Sequence, residues 1–177
     1  QVDIVAHSEG GLNTLHYLKN LCGVSKVRRF VSLAAAFHGT VVACLDQLSC
    51  GAEEMCIGFG SDGWKDNGQL VAINACDETP GDVLYSAIWS NYDEVIVPQS
   101  GSKLKGAHNI ELDTPFVEHG GILVCDECYD HVRDALMNGT GLNKDGPGWE
   151  CLPACAPSTA DEVGEDAADC TQTEEAV

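Results

Sequence analysis

Basic residues are scarce in this sequence. It has 9 Lys and Arg against 28 Asp and Glu, and its formal net charge is −19 at pH 7. All nine basic residues lie at or before Lys144, and the segment that follows is acidic. A protein that binds a nucleic-acid backbone needs a basic face, and anionic membranes attract basic segments. The composition therefore excludes nucleic acid as a partner and disfavours adsorption to anionic membranes.

Long apolar runs are also missing. No window approaches the ~20 apolar residues of a transmembrane helix, so we expect no membrane span. No signal peptide is visible, and the sequence begins at Gln1 inside an apolar strand pattern. We therefore expect an N-terminally truncated chain whose missing part carries the signal.

Cysteine, in contrast, is abundant. An even count in an acidic protein predicts disulfides and a secreted, extracellular protein; buried free thiols are the alternative. Short separations favour pairing of Cys44 with Cys50, or of Cys50 with Cys56. Cys125 and Cys128 are also close enough to bridge. The ten cysteines are Cys22, Cys44, Cys50, Cys56, Cys76, Cys125, Cys128, Cys151, Cys155 and Cys170.

The spacing of four of these cysteines permits a different interpretation. Cys125-x-x-Cys128 and Cys151-x₃-Cys155 nearly match a thiolate zinc site. One pair precedes a predicted helix and the other lies in a loose segment, and the cysteine count predicts an oxidising setting. We therefore expect no metal and no other cofactor.

Strand patterns alternate with helix patterns along residues 1–141, which predicts an α/β fold with a mainly parallel sheet and flanking helices. Leucines at threefold spacing from Leu12 predict an amphipathic first helix. A last helix is expected between a cap at Asp126 and a stop at Gly139. The predicted strands are Gln1–Ala6, Val27–Ala36, Val83–Ser90 and Asn109–Leu112.

Two segments lack such patterns. Residues 41–67 are rich in Gly, Cys and acids and are expected to form a cysteine-rich insertion over the surface. Residues 142–177 are expected to form an acidic, cysteine-containing, disordered tail. The predicted organisation is thus a partial catalytic domain over 1–141 followed by this tail.

The junction after the first strand carries the strongest chemical signal. An apolar strand runs into Ala6-His7-Ser8-Glu9-Gly10, and a helix follows directly. A serine on such a sharp strand-to-helix turn is a nucleophile elbow, in which Ala6 replaces the first glycine of G-x-S-x-G. Ser8 is therefore the predicted nucleophile, and the backbone N–H of Glu9 is one predicted oxyanion donor. The alternative is a serine that caps an ordinary helix.

A serine nucleophile needs a base that is oriented by an acid. Asp93 and Glu94 follow the third strand and compete for the acid role; Asp93 is preferred because it comes first and leaves its neighbour facing solvent. His119, between flexible glycines and the last helix, is the preferred base. His38 follows the second strand and is the alternative base or a pocket residue. His7, beside the nucleophile, is expected to pack beneath the site and to contact substrate.

These segments together resemble a known family. VDIVAHSEGGLNTLHYLKNL is similar to the nucleophile region of the small bacterial triacylglycerol lipases of the lipase class 2 type, in which the elbow often reads A-H-S-x-G. SLAAAFHGT, IWSNYDEVIVP, LKGAHNIEL and VEHGGIL resemble the family in the same order. The resemblance covers roughly Val2 to Leu136 and implies an α/β-hydrolase fold. It also implies a Ser8–Asp93–His119 triad and hydrolysis of lipid or short-chain carboxylic esters through an acyl-enzyme.

The family has further strands before the elbow, including the loop that gives the second oxyanion N–H. We therefore expect the first strand to be an open sheet edge and the isolated chain to be poorly soluble and inactive. The competing interpretation is a non-catalytic binding module with the same sheet. The oligomeric state is not predicted.

Overall fold

The computed structural model describes residues 1–45, 51–60, 63–65 and 67–139, and every structural statement here concerns that part of the chain. The predicted tail lies outside it, as do Cys50 and parts of the predicted insertion. The strands and α-helices are, in chain order, β1 (Val2–His7), α1 (Glu9–Asn20), β2 (Val27–Leu33), α2 (Ala52–Met55), β3 (Gly58–Gly60), β4 (Gly63–Lys65), α3 (Gly68–Asn74), β5 (Leu84–Trp89), β6 (His108–Glu111) and α4 (Asp126–Asn138).

Four strands form a parallel sheet in the order β1-β2-β5-β6, which confirms the predicted α/β architecture with flanking helices. A separate antiparallel pair, β3 and β4, lies within the predicted insertion. β1 occupies an edge of the main sheet, and Val2 and Val5 are 57% and 45% exposed. Among the described residues β1 pairs only with β2, so the first strand forms an open edge of the sheet, as expected.

Apolar layers cover both faces of the sheet. Leu12, Leu15 and Leu18 of α1 are buried with residues of α3 in one cluster, which confirms the predicted amphipathic helix. The other cluster packs α4 against β2 and β5. Ile57 of the insertion is buried in the first cluster, so this segment contributes to the core as well as to the surface.

Helix α1 approaches the sheet closely at one glycine. A Cβ atom on Gly11 would lie 2.4 Å from the Cβ of Ala35, whereas one on Gly10 would lie 3.9 Å from the Cβ of Ala6. Only the first distance is shorter than van der Waals contact. Gly11 is therefore what lets the helix that begins beside Ser8 pack onto the end of β2.

The six described cysteines all belong to disulfides. Cys44 is bonded to Cys56, so neither predicted pairing with Cys50 occurs. An isolated parallel bridge between Thr40 and Cys56 brings the two ends of the loop together, and this long-range pairing outweighs the shorter separation. Cys125 is bonded to Cys128, as their spacing allowed.

The residues that flank helix α4 set its two ends. Cys125, rather than the predicted Asp126, is the N-cap, and its Sγ accepts a hydrogen bond from the backbone N–H of Cys128. Gly139 follows the last turn at φ 66°, a left-handed conformation that favours glycine, which confirms the predicted stop. None of the described helices has the length and apolarity needed to cross a bilayer.

Candidate active site

Ser8 lies on the turn between β1 and α1, with φ 56° and ψ −131°. Few non-glycine residues adopt this backbone conformation. The turn is held by two hydrogen bonds, from Ser8 N–H to the carbonyl of Leu33 and from Gly11 N–H to the carbonyl of Ser8, both 2.9 Å long. The Ser8 side chain does not cap the helix. The alternative of a helix-capping serine therefore does not describe this hydroxyl.

The loop that follows β5 presents Asp93. This carboxylate is only 2% exposed, and its Oδ1 accepts hydrogen bonds from the backbone N–H groups of Val95 and Ile96 at 2.9 and 2.8 Å. Such bonds fix the carboxylate without neutralising it. A second residue fixes the loop itself, because the buried Thr40 hydroxyl donates to the carbonyl of Val95 at 2.5 Å and accepts from Val97 N–H at 3.0 Å.

His119 lies between the two predicted partners. Its Nε2 is 2.9 Å from Ser8 Oγ, and its Nδ1 is 2.9 Å from Asp93 Oδ2 and 3.1 Å from Oδ1. Since a carboxylate only accepts, Nδ1 carries the proton and Nε2 is the basic nitrogen that faces the serine hydroxyl. The structure thus brings together three side chains that come from three separate loops.

The backbone of His119 is held from two sides. Glu94, the competing acid, is exposed, and its carboxylate accepts a hydrogen bond from His119 N–H at 3.0 Å. On the other side, His7 Nε2 lies 3.0 Å from the carbonyl oxygen of His119, and the two rings are 4.6 Å apart. Glu94 therefore contacts the backbone of His119, whereas Asp93 contacts its ring.

The remaining predicted site residues have different surroundings. His38 lies 3.5 Å from Glu78 through Nε2, while the position beside Ser8 Oγ is taken by His119. The predicted contact of His38 with substrate stays a prediction. Glu9 is the first residue of α1, and the first N–H groups of a helix are not used by the helix's own hydrogen bonds. Its role as an oxyanion donor stays a prediction.

Sequence reasoning missed two contributors. Thr40 follows the second predicted strand in an ordinary loop, and no local pattern indicates that its hydroxyl reaches the Asp93 loop 55 residues away. The contact of Glu94 with His119 N–H was missed for a similar reason, since it depends on two loops 25 residues apart.

A cavity of about 400 Å³ opens between α1 and the segment that carries α2 and α3. Leu12, Met55, Leu70 and Ile73 form the apolar part of its lining, and Glu9, the chain neighbour of Ser8, belongs to the polar part. Ser8 itself is not among the residues that line it. The cavity is thus connected to the three converging side chains only through Glu9, which follows Ser8 in the chain.

The described residues contain no group of three or more His, Cys, Asp or Glu arranged to hold a metal ion. For the alternative zinc site, Cys125 and Cys128 share a disulfide, so their sulfurs are not thiolate ligands in this structure. The other pair, Cys151 and Cys155, lies outside the described residues.

Comparison with family models gives no match. Among solved structures, the chain is similar to the crystal structure of Aspergillus fumigatus lipase B, with a TM-score of 0.63 and 21% sequence identity. The match covers 88% of this chain and 42% of the lipase chain, so this chain spans less than half the length of the structure it matches. At this identity the likeness shows the fold alone: a lipase-like α/β fold.

Proposed function

We propose that this chain carries the nucleophile, acid and base of a serine hydrolase that cleaves carboxylic esters of lipid or short-chain acyl type. One observation carries the proposal: a continuous hydrogen-bonded series from Ser8 Oγ through the His119 ring to Asp93. Ordinary surface serines do not combine such a series with a sharp strand-to-helix turn. The lipase-like fold and the sequence resemblance to bacterial class 2 lipases agree with this assignment.

In the proposed reaction, His119 Nε2 takes the proton from Ser8 Oγ as that oxygen attacks the ester carbonyl carbon. Asp93 keeps the ring in the tautomer with Nδ1–H and stabilises the imidazolium that forms. The imidazolium then protonates the leaving alcohol, which leaves an acyl-enzyme. Water then attacks the acyl carbon while His119 takes its proton, and the imidazolium returns a proton to Ser8 Oγ as the bond to the acyl group breaks and the acid product leaves.

The negative charge that develops on the carbonyl oxygen needs donors that are already in place. We assign the Glu9 N–H to this role, at the N-terminal end of α1, where the helix dipole favours negative charge. No metal or organic cofactor has a part in this chemistry.

We assign the apolar part of the ester to the cavity beside α1. Its volume of about 400 Å³ falls in the usual range of small-molecule sites, and its lining combines apolar side chains, among them Leu12 and Met55, with polar ones such as Asn13. Met55→Trp should narrow it and slow labelling of Ser8 by a long-chain fluorophosphonate relative to a short-chain one. Val71→Trp on α3 is the control, because Val71 is exposed and does not line the cavity. If Met55→Trp slowed labelling by both probes equally, the cavity would be excluded as the site of the acyl chain.

We place this activity outside the cell. Disulfides persist in oxidising compartments and are rare in the cytosol, and every described cysteine of this chain belongs to one.

The decisive experiment is covalent labelling, since a fluorophosphonate reacts only with an activated serine and does not require turnover. The full chain should gain one adduct, which peptide mass mapping should locate on Ser8. Ser8→Ala should abolish the adduct and leave the circular dichroism spectrum unchanged. A folded chain that gains no adduct would contradict the assignment of Ser8 as an activated nucleophile and favour the non-catalytic interpretation.

A further inference from the structure

His7 combines contacts that the proposed mechanism leaves unused. It is the last residue of β1 and the immediate neighbour of Ser8. Its Nε2 lies 3.0 Å from the carbonyl oxygen of His119, 112 residues further along the chain, and the two rings pack at 4.6 Å with a tilt of 44°. The side chain therefore touches both the ring and the backbone of the proposed base.

The chemistry of this contact defines the state of His7. A carbonyl oxygen only accepts, so His7 Nε2 must carry a proton and donate it. Partial burial lowers the pKa of His7 below its ordinary value of 6.5, which favours the neutral ring. A neutral ring also avoids placing a second positive charge beside the imidazolium that His119 would form.

The contact joins the end of β1 to the loop of His119, and the distance between these two parts of the chain decides whether Ser8 can react. Ser8 and His119 are 111 residues apart and must stay within 2.9 Å, Oγ to Nε2. Glu94 holds the N–H side of His119 and His7 holds its carbonyl side. Of these two, only His7 is bonded covalently to the nucleophile.

We propose that His7 is a positioning residue that fixes the loop of His119 over Ser8 through its Nε2–H bond to the His119 carbonyl. This inference rests on the proposed ester hydrolase function. It differs from the expectation that His7 contacts substrate, because the donor atom is directed at protein backbone.

Three replacements of His7 test the role of this donor. His7→Phe keeps the ring packing and removes the donor. His7→Gln keeps an amide N–H at the same number of bonds from Cα, and His7→Asn has an amide one bond too short. His131→Phe on α4 is the control, since the side-chain partner of His131 is Glu127 of the same helix.

The first readout is the set of imidazole ¹⁵N shifts of His119, at a pH where this ring is neutral. They can be assigned among only six histidines by comparison with His119→Gln. Wild type, His7→Gln and His131→Phe should show a single Nδ1–H tautomer. His7→Phe and His7→Asn should show tautomer averaging, because the ring then moves away from Asp93.

The second readout is the rate of fluorophosphonate labelling of Ser8. His7→Phe should reduce this rate by about 10- to 100-fold, since misplacement by ~1 Å costs ~10²-fold. His7→Gln should restore most of the loss.

Unchanged tautomer and rate in His7→Phe, or no advantage of His7→Gln over His7→Asn, would overturn the positioning role. If His7→Phe fails to fold, the Gln and Asn variants decide alone. If the His119 tautomer responds to the His7 variants but Ser8 is never labelled, the proposed hydrolase function would be disproved, while the positioning contact between His7 and His119 would stand.

Discussion

Asp93 and Glu94 are neighbouring carboxylates in different environments. Asp93 is 2% exposed and faces the Nδ1 of His119, whereas Glu94 is exposed and accepts from the backbone N–H of the same residue. A contact with the His119 backbone acts on the ring only indirectly, by holding the loop, whereas the contact of Asp93 with Nδ1 selects the tautomer directly. The two residues should therefore differ sharply in their effect on Ser8.

Asp93→Asn should slow fluorophosphonate labelling of Ser8 by up to about 10⁴-fold, the loss expected when a triad acid becomes an amide. The amide offers a donor to Nδ1 and so favours the wrong tautomer. Glu94→Gln should change the rate far less, because a carbonyl oxygen remains to accept from His119 N–H. Labelling rates of the two variants, measured side by side, check this. Equal losses would contradict the assignment of Asp93 as the acid.

At this scale the sequence was most informative about the three site side chains. Chain order and strand ends singled out Ser8, Asp93 and His119, and the structure places them within hydrogen-bonding distance; their catalytic roles remain predictions. The cysteine pairing was harder to predict from the sequence. It depends on which loop ends meet in space, and the bridge at Cys56 brings this residue, rather than Cys50, to Cys44.

At the scale of elements, the packing of α1 on the sheet depends on one missing side chain. Gly11→Ala should place a methyl group 2.4 Å from the Cβ of Ala35 and destabilise the fold by about 1–3 kcal/mol. Gly10→Ala meets only an ordinary contact and should be neutral, or stabilising by up to about 1 kcal/mol. Urea unfolding of both variants measures the difference. A stable Gly11→Ala protein would show that α1 can shift away from β2.

Helix α4 is tied to the loop after β6 by Glu127. The Thr114 side chain and the N–H groups of Asp113 and Thr114 bind this carboxylate and lower its pKa from the ordinary 4.5 to about 2. A depressed folded pKa adds stability that is present above pH 4.5 and is lost as the pH falls toward 2.

Glu127→Gln should therefore lower Tm at pH 7, and its difference from wild type should shrink between pH 4.5 and 2. Asp130→Asn is the control, because its pair with Arg133 is exposed and exposed pairs contribute little. Thermal melts across this pH range test whether the difference in Tm shrinks as the pH falls. A difference that stays constant with pH would exclude the ionised Glu127 as the cause.

Element types followed from the sequence better than their ends did. The second predicted strand extended to Ala36, but β2 ends at Leu33 and Ala34 has φ 46°, a turn that no glycine marks. Likewise, the left-handed residue that follows α1 is Cys22 and not the neighbouring Gly23. Tertiary contacts, rather than local preference, decided these positions.

For the whole molecule, the exposed edge at β1 and the net charge act in opposite directions. An edge strand offers free N–H and C=O groups to another copy, while a formal charge of −19 repels that copy. Association should therefore increase with salt, which screens the repulsion.

Val5→Lys should suppress this association by placing a charge on the edge. Val71→Lys makes the same change in net charge on exposed α3, and should suppress it much less. Sedimentation velocity at low and high salt, over a range of protein concentrations, compares the two. If both lysines act equally, net charge rather than the edge controls association.

The span of the Ser8–His119 contact has a consequence for folding experiments. The two residues are 111 positions apart, and the Asp93 loop lies between them in the chain. No local fragment can assemble this arrangement, so reactive serine should appear only when β1, β5 and the His119 loop have docked. Pulses of fluorophosphonate during refolding would then count native molecules directly, while circular dichroism would report helices that form earlier. The interval between the two signals would measure the time between formation of the helices and formation of the long-range contacts.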